Sequence, residues 1–323
     1  MLDVAPVWRG GTASSALRAS LSLAAAVERL GYRRHWAAEH HNTPCLAATA
    51  PAVMAGQLAN ATSTLRIGSG GVLLPNHAPL VVAEQFGMLS AFHPGRIDLG
   101  VGRAPGGDAR TAQALRRAGN PGDEEFAEQL AALAGYFTPR RDGAIDAGAA
   151  GEQRPPIWLL GSSPASARTA ARLGLRYAYA HQINPAASEE ALHAYRDGFQ
   201  PSEDLAEPYA LVCATAIVAE SDAAADRLAR PYLLSRIWMR AGTRFDAFPD
   251  QAAADAYSFS AQEHDHVRNF ADRQLVGGRD TVRHKASELI AGTGADELMA
   301  LTLMPGHDDR VNSYRLLAEA VRD

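Results

Sequence analysis

Four short stretches of the chain hold residue types that can do chemistry. Glu39-His40-His41 sets a carboxylate beside two imidazoles, and a histidine can titrate near neutral pH and serve as a general base. A pair of structural histidines is the plainer reading. Gly68-Ser69-Gly70-Gly71 holds three glycines in four residues, a density that weakens a strand unless the backbone bends or approaches something closely. Close approach to a planar ligand is the functional reading, and a bulge at a sheet corner the bland one. Arg103, after Gly100-Val101-Gly102, can offer fork-shaped donors to a phosphate or carboxylate, or can be a solvated rim residue. Gly161-Ser162-Ser163-Pro164 would place N–H groups and hydroxyls at a helix start, which suits an anion cradle or simple capping.

Other sites are disfavoured by spacing. Gly100-Val101-Gly102 lacks the full GxGxxG pattern of a dinucleotide fingerprint. His40 and His41 have no third ligand at helical or strand spacing, and His264-Asp265-His266 falls in an expected loop, so no metal is expected.

These motifs need elements to hold them. Ser14 to Leu30 reads as a helix ending at Gly31, Pro51 to Ala61 and Pro79 to Phe92 as two more, and Leu65 to Leu74 and Arg96 to Gly102 as strands. The second half repeats the alternation, with strands at Pro156 to Gly161, Tyr177 to His181, Leu211 to Ala219 and Leu298 to Leu303. Helices are expected at Ser166 to Leu173, Ser188 to Phe199, Asp222 to Met239 and Asp309 to Arg322. With Leu2 to Pro6 and the Tyr32 to His41 stretch, eight strands emerge, nearly all followed by a helix, which predicts a single α/β domain over 1–323 folded as a (β/α)8 TIM barrel. Each motif would then stand at the C-terminal mouth. Two stretches break the repeat: a Pro105 to Asp123 loop, and 241–278 before the last βα unit. The second is expected to be a lid insertion; because Gln251 to Ala256 could form a helix, a permanently folded insertion is the competing reading.

Composition narrows the class. Of 323 residues, 47% are hydrophobic, and 36 acidic against 31 basic residues give a formal charge of -5, which offers no basic footprint for nucleic acid. Cys45 and Cys213 show no metal or disulfide-framework spacing, and no apolar run is long enough to span a membrane. A cytoplasmic location is expected.

Longer motifs carry a resemblance. Trp36-Ala37-Ala38-Glu39-His40-His41-Asn42, the run from Arg66 through Gly68-Ser69-Gly70-Gly71 to Pro79, the run His93-Pro94-Gly95-Arg96 through Arg103 to Gly106, Gly161-Ser162-Ser163 and Thr293-Gly294-Ala295-Asp296-Glu297-Leu298 are similar to the flavin-dependent bacterial luciferase-like monooxygenase family. Their order spans nearly the whole chain. The resemblance implies a barrel that binds reduced flavin mononucleotide (FMN), supplied by a separate flavin reductase. The flavin would react with O2 through a C4a-(hydro)peroxyflavin to oxygenate a small organic substrate. By position, His40 matches the catalytic histidine, and Gly70-Gly71 a non-proline cis peptide under the flavin ring. Arg103 and Ser162, with Ser163 beside them, match phosphate contacts, and His181 lies near a ring-side position. Gly102 replaces the reactive cysteine of light-emitting members, which speaks against bioluminescence, and Gly161 replaces an acid. The family resemblance also implies a homodimer through the helices after the second and third strands. There Ala52, Ala55, Gly56 and Ala59 let backbones approach, and Met54 and Leu58 add apolar area. Two alternatives share the fold: hydride transfer with a deazaflavin (F420), and flavin binding without catalysis.

Overall fold

The computed structural model describes residues 1–104, 108–115, 122–138 and 145–322. Its strands are β1 (Leu2–Asp3), β2 (Arg34–Ala37), β3 (Arg66–Ser69), β4 (Val72–Leu73), β5 (Ile97–Gly102), β6 (Ile157–Gly161), β7 (Arg176–Ala180), β8 (Ala210–Ala219), β9 (Leu275–Gly278) and β10 (Glu297–Leu301). All pair in parallel, in the order β10-β1-β2-β3-β5-β6-β7-β8, and β8 closes the ring by pairing with β10. The expected (β/α)8 barrel, with its eight strands, is the fold observed. β4 lies against the end of β5, and β9 is an extra strand.

Parallel strands covered on both sides carry continuous apolar runs, and β8 shows this best, with all ten residues buried. Its first half, Leu211 to Thr215, pairs with β10; its second half, Ala216 to Ala219, would be an open edge, and β9 covers it. Side chains alternate between the two faces. Ile67, Ile97, Leu99, Val101, Ile157 and Leu159 pack in the large cluster shared with the helices. Leu2, Trp36, Trp158, Leu211, Cys213 and Met299 belong to a second cluster around the barrel axis. Prolines at 51, 79 and 164 open three of the helices, where a missing N–H costs nothing.

Below the apolar interior lies an ion network. Arg34 donates to Asp98 at 2.6 Å and to both oxygens of Glu297 at 2.7 and 2.6 Å, while Arg66 reaches Asp98 at 2.6 Å. Burial works to raise the Glu297 carboxyl, but the Arg34 bond and charge hold it below its ordinary value. Trp36 Nε1 donates to Asp98 at 3.1 Å, which ties the network to the barrel interior above it.

The 241–278 segment differs from a plain loop. Helices Gln251–Ala256 and Ala261–Asp272 and strand β9 are built into it. His264-Asp265-His266, expected in a loop, lies inside the second of these helices; Ser260 and Glu263 form a capping box at its start. Helices Asp123–Tyr136 and Arg279–Thr293 are also present without having been anticipated. In the expected Pro105 to Asp123 loop, Ala109–Ala114 is helical, while 105–107 and 116–121 lie outside the described residues. No described helix is long and apolar enough to cross a membrane. Cys45 and Cys213 are buried free thiols.

Candidate active site

A cavity of about 590 Å³ opens at the C-terminal mouth, within the usual size range of small-molecule sites. Five consecutive strands of the ring, β2, β3, β5, β6 and β7, deliver the residues of its rim, because each chain segment leaves its strand at the same end of a parallel barrel.

After β2 come Glu39 and His40. The His40 N–H donates to Ala48 O at 2.9 Å, which folds the loop back. His40 lines the cavity, and its Nδ1 is buried with no hydrogen-bond partner among the described residues. Burial pulls its pKa down to about 4 against the opposing pull of Glu39. The expected titration near neutral pH is thereby corrected: this imidazole is neutral at pH 7, because desolvation penalises the cation. Glu39 is almost fully buried and accepts from His41 at 2.7 Å, from His77 at 2.9 Å and from the Leu73 N–H at 3.0 Å. Burial favours its neutral form, yet the His77 bond and charge, with the Leu73 and His41 bonds, hold the carboxyl below the usual range.

Gly70 and Gly71, joined by a cis peptide bond, form the wall after β3. A Cβ on Gly70 would stand 2.6 Å from Leu2 Cδ1, and one on Gly71 would stand 2.9 Å from Gly100 O. A side chain at Gly71 would strike backbone, and one at Gly70 would require Leu2 and Trp36 to shift; as it is, bare backbone faces the cavity there. Gly102 is different. A Cβ there would meet nothing closer than 4.0 Å, so a side chain has room at this position.

Arg103 and the turn after β6 make the polar side of the rim. Arg103 lines the cavity and pairs with Asp123. Ser163 caps the helix Pro164–Arg172, accepting from the Ser166 N–H at 3.3 Å. The carbonyl of Ser162 is held by Tyr179 at 3.2 Å and Asn184 at 3.1 Å, and its hydroxyl makes no hydrogen bond among the described residues. A helix N-terminus, a free hydroxyl and a guanidinium thus stand together, a donor set suited to a phosphate.

His181 is set apart from these residues. It does not line the cavity: Nδ1 bonds Ser188 at 3.1 Å and Nε2 bonds Arg273 O at 2.7 Å. The next residue, Gln182, lines the cavity instead. Both residues lie in the turn after β7, where the contacts with Ser188 and Arg273, not strand alternation, hold the His181 ring away from the cavity. Tyr179 and Gln182 line the cavity although no motif assigns them, and Glu39, from the first motif, lines it with His77 bonded to its carboxylate. Strand-end position was the one signal for Gln182. Among the described residues, no group of three or more His, Cys, Asp or Glu is placed to hold a metal.

Comparison with known proteins agrees with this architecture. The family model for luciferase-like monooxygenases matches residues 1–297. A luciferase-like monooxygenase of Escherichia coli (strain K12) is 41% identical over 317 residues, covering 98% of this chain and 94% of that one. The N-acetyl-S-alkylcysteine monooxygenase of Bacillus subtilis (strain 168) is 31% identical over 329 residues, covering 99% and 97%. Among solved structures, apo-MsnO8 superposes with a TM-score of 0.91 at 36% identity, covering 100% of this chain and 97% of that one. The chain belongs to the luciferase-like monooxygenase family. The same fold, at 20% and 16% identity, occurs in an FMN complex of the oxygenating constituent of 3,6-diketocamphane monooxygenase from Pseudomonas putida (TM-score 0.72, covering 99% of this chain and 96% of that one) and in an F420-dependent secondary alcohol dehydrogenase (TM-score 0.66, covering 95% and 96%).

Proposed function

We propose that the chain is the oxygenating component of a two-component flavin monooxygenase that uses reduced FMN and O2 on a small organic substrate. The observation that carries this is the layout of one cavity: bare Gly70-Gly71 backbone on one side, an unpartnered His40 beside it, and an anion-binding end at Arg103, Ser162 and Ser163. These groups fit a flat ring with a phosphate tail. Bound in reduced form, FMN supplies the two electrons and the position at which O2 is activated. His40, neutral, is available to take up a proton on its ring. Leu73, Leu160 and Ile183 give the substrate an apolar wall, and the cover that limits water is assigned to the 241–278 insertion, whose Arg244 reaches Asn42 at 3.5 Å. A flavin reductase is the expected transient partner and the cytoplasm the expected location. Stopped-flow mixing of the protein, preloaded with reduced FMN, with O2 tests the reading. Oxygen-dependent flavin oxidation coupled to product is the expected result. Turnover that runs equally well without oxygen would favour deazaflavin hydride transfer.

The phosphate assignment has its own check. Arg103→Ala should weaken FMN binding by about 1.5–3 kcal/mol, the scale of a hydrogen bond to a charged group, and should leave riboflavin binding unchanged. Equal losses for both ligands in a titration would show that Arg103 does not address the phosphate.

A homodimer through helices Pro51–Asn60 and Pro79–Phe92 is part of the same reading, with different contact residues from those first expected. Met54, Ala55, Leu58 and Ala59 are buried against the barrel within the protomer, and Gly56 faces Leu89 at a would-be Cβ distance of 3.4 Å. The exposed apolar residues on the two helices are Val53, Val81, Met88 and Phe92. Sedimentation at micromolar concentration should give a dimer that Phe92→Asp dissociates; a monomeric wild-type protein would exclude it.

A further inference from the structure

Three oxidisable aromatic side chains form a line through the barrel. Trp36 lines the cavity, and its ring carbon Cε3 stands 3.5 Å from where a Cβ on Gly70 would be, so the indole lies directly behind the bare backbone wall. Trp36 and Trp158 meet edge to face with ring centres 5.2 Å apart, and Trp158 meets Tyr209 in the same way at 5.8 Å, within the range of touching aromatic pairs. Both tryptophans are buried, whereas Tyr209 is half-buried. The Tyr209 hydroxyl accepts from Arg33 at 3.1 Å, and that arginine is 65% exposed. Tyr209 precedes β8 and Arg33 precedes β2, so the line runs from the cavity at the mouth to solvent at the opposite end of the barrel.

The outer end of the line differs chemically from the rest. Tyr209 donates its O–H to Glu297 at 2.5 Å. Trp158 Nε1 is buried with no partner among the described residues, and Trp36 Nε1 donates at 3.1 Å to Asp98, which Arg34 and Arg66 each hold at 2.6 Å. A phenol that has lost an electron is a strong acid and releases its proton even to a carboxylate paired with arginine; an indole in that state is a weak one. Electron loss is therefore easiest at Tyr209. The Arg34 guanidinium, 5.8 and 5.0 Å from the Trp36 and Trp158 ring centres, also works against a positive charge resting on either. Tyr179 lines the cavity too, but its hydroxyl donates to the carbonyls of Ser162 and Asn184, which cannot take its proton. We propose that Trp36, Trp158 and Tyr209 form an electron path that carries oxidising equivalents out of the cavity and so spares the residues around it. A one-electron oxidant there, a photoexcited flavin or a radical derived from leaked peroxide, takes an electron from Trp36. Trp158 then reduces Trp36, and Tyr209 reduces Trp158. The phenolic proton passes to Glu297, leaving a neutral tyrosyl radical. A soluble thiolate returns one electron, becoming a thiyl radical, and Glu297 returns the proton. The inference rests on the flavin reading above for its oxidant.

Oxidised FMN bound to the protein and excited by a laser flash is the probe, and transient absorption is the readout, without turnover. The wild-type protein should show the broad band of a tryptophan radical giving way to the narrow band of a neutral tyrosyl radical. Tyr209→Phe, which removes only a hydroxyl, should lose the tyrosyl band and keep the tryptophan one. Trp158→Phe should lose the tyrosyl band although Tyr209 is still present, because a phenyl ring does not carry the charge onward. A wild-type protein that forms no tyrosyl radical would overturn the proposal. A tyrosyl band that survives in Tyr209→Phe would place the radical elsewhere, and one that survives in Trp158→Phe would show that the stack is not the route; either would overturn it as well. Should Trp158→Phe fail to fold, Tyr209→Phe decides alone. Failure of the wild-type protein to bind FMN, read beforehand by fluorescence quenching, would instead overturn the flavin reading, and this inference with it.

Discussion

His40→Ala is expected to lower coupled product formation about 10²–10⁴-fold, the range for a lost acid or base, while flavin affinity and the unfolding midpoint stay near wild type. The structural reason is that the imidazole gives nothing to the fold that alanine would remove. Its Nδ1 has no partner among the described residues, and the loop is held by the backbone bond to Ala48, which alanine keeps. Product per reduced flavin consumed is the measurement, taken beside a thermal melt. An unfolded variant, or one that turns over normally, would remove His40 from the chemistry. The pH profile adds a second reading. Burial holds the His40 pKa at about 4, so the proton-accepting form is complete at neutral pH and is lost as the pH falls through that value. An acid limb carried by this group should be absent from the His40→Ala profile.

The largest effect on stability is expected beneath the site. Arg34→Ala should destabilise the protein by about 3–5 kcal/mol, the cost of leaving buried charges unpaired. Asp98 is fully buried and would keep only Arg66 and Trp36, while Glu297 would lose both of its bonds to Arg34. The Arg34 guanidinium also lies 5.0 Å from the Trp158 ring centre, so apolar contact is lost with the charge. Chemical denaturation should show the shift. A change below about 1 kcal/mol, typical of exposed ion pairs, would mean that water enters and solvates the carboxylates. Because Trp36 bonds Asp98 and lines the cavity, the same variant should also bind flavin less well.

The chain reveals its repeating unit locally and its site only partly. Apolar runs, helix-opening prolines at 51, 79 and 164, and the alternation of strand and helix are short-range signals, and they suffice for the eight barrel strands and for placing His40, Arg103, Ser162 and Ser163 at one mouth. In a parallel barrel, the residue after a strand reaches that mouth whatever the rest of the chain does. Other features depend on partners far away in sequence. Leu275 to Gly278 is a strand because the second half of β8 leaves an edge for it; two apolar residues and two glycines do not announce one. His181 turned from the cavity while Gln182 turned into it, through contacts with Ser188, Arg273 and Cys213. Gly70 must lack a side chain because Leu2 and Trp36 stand against it, and Gly71 because Gly100 does. The lowered pKa of His40 belongs to the same group: the residue type supplies the imidazole, but only barrel closure removes the water that would have stabilised its charge.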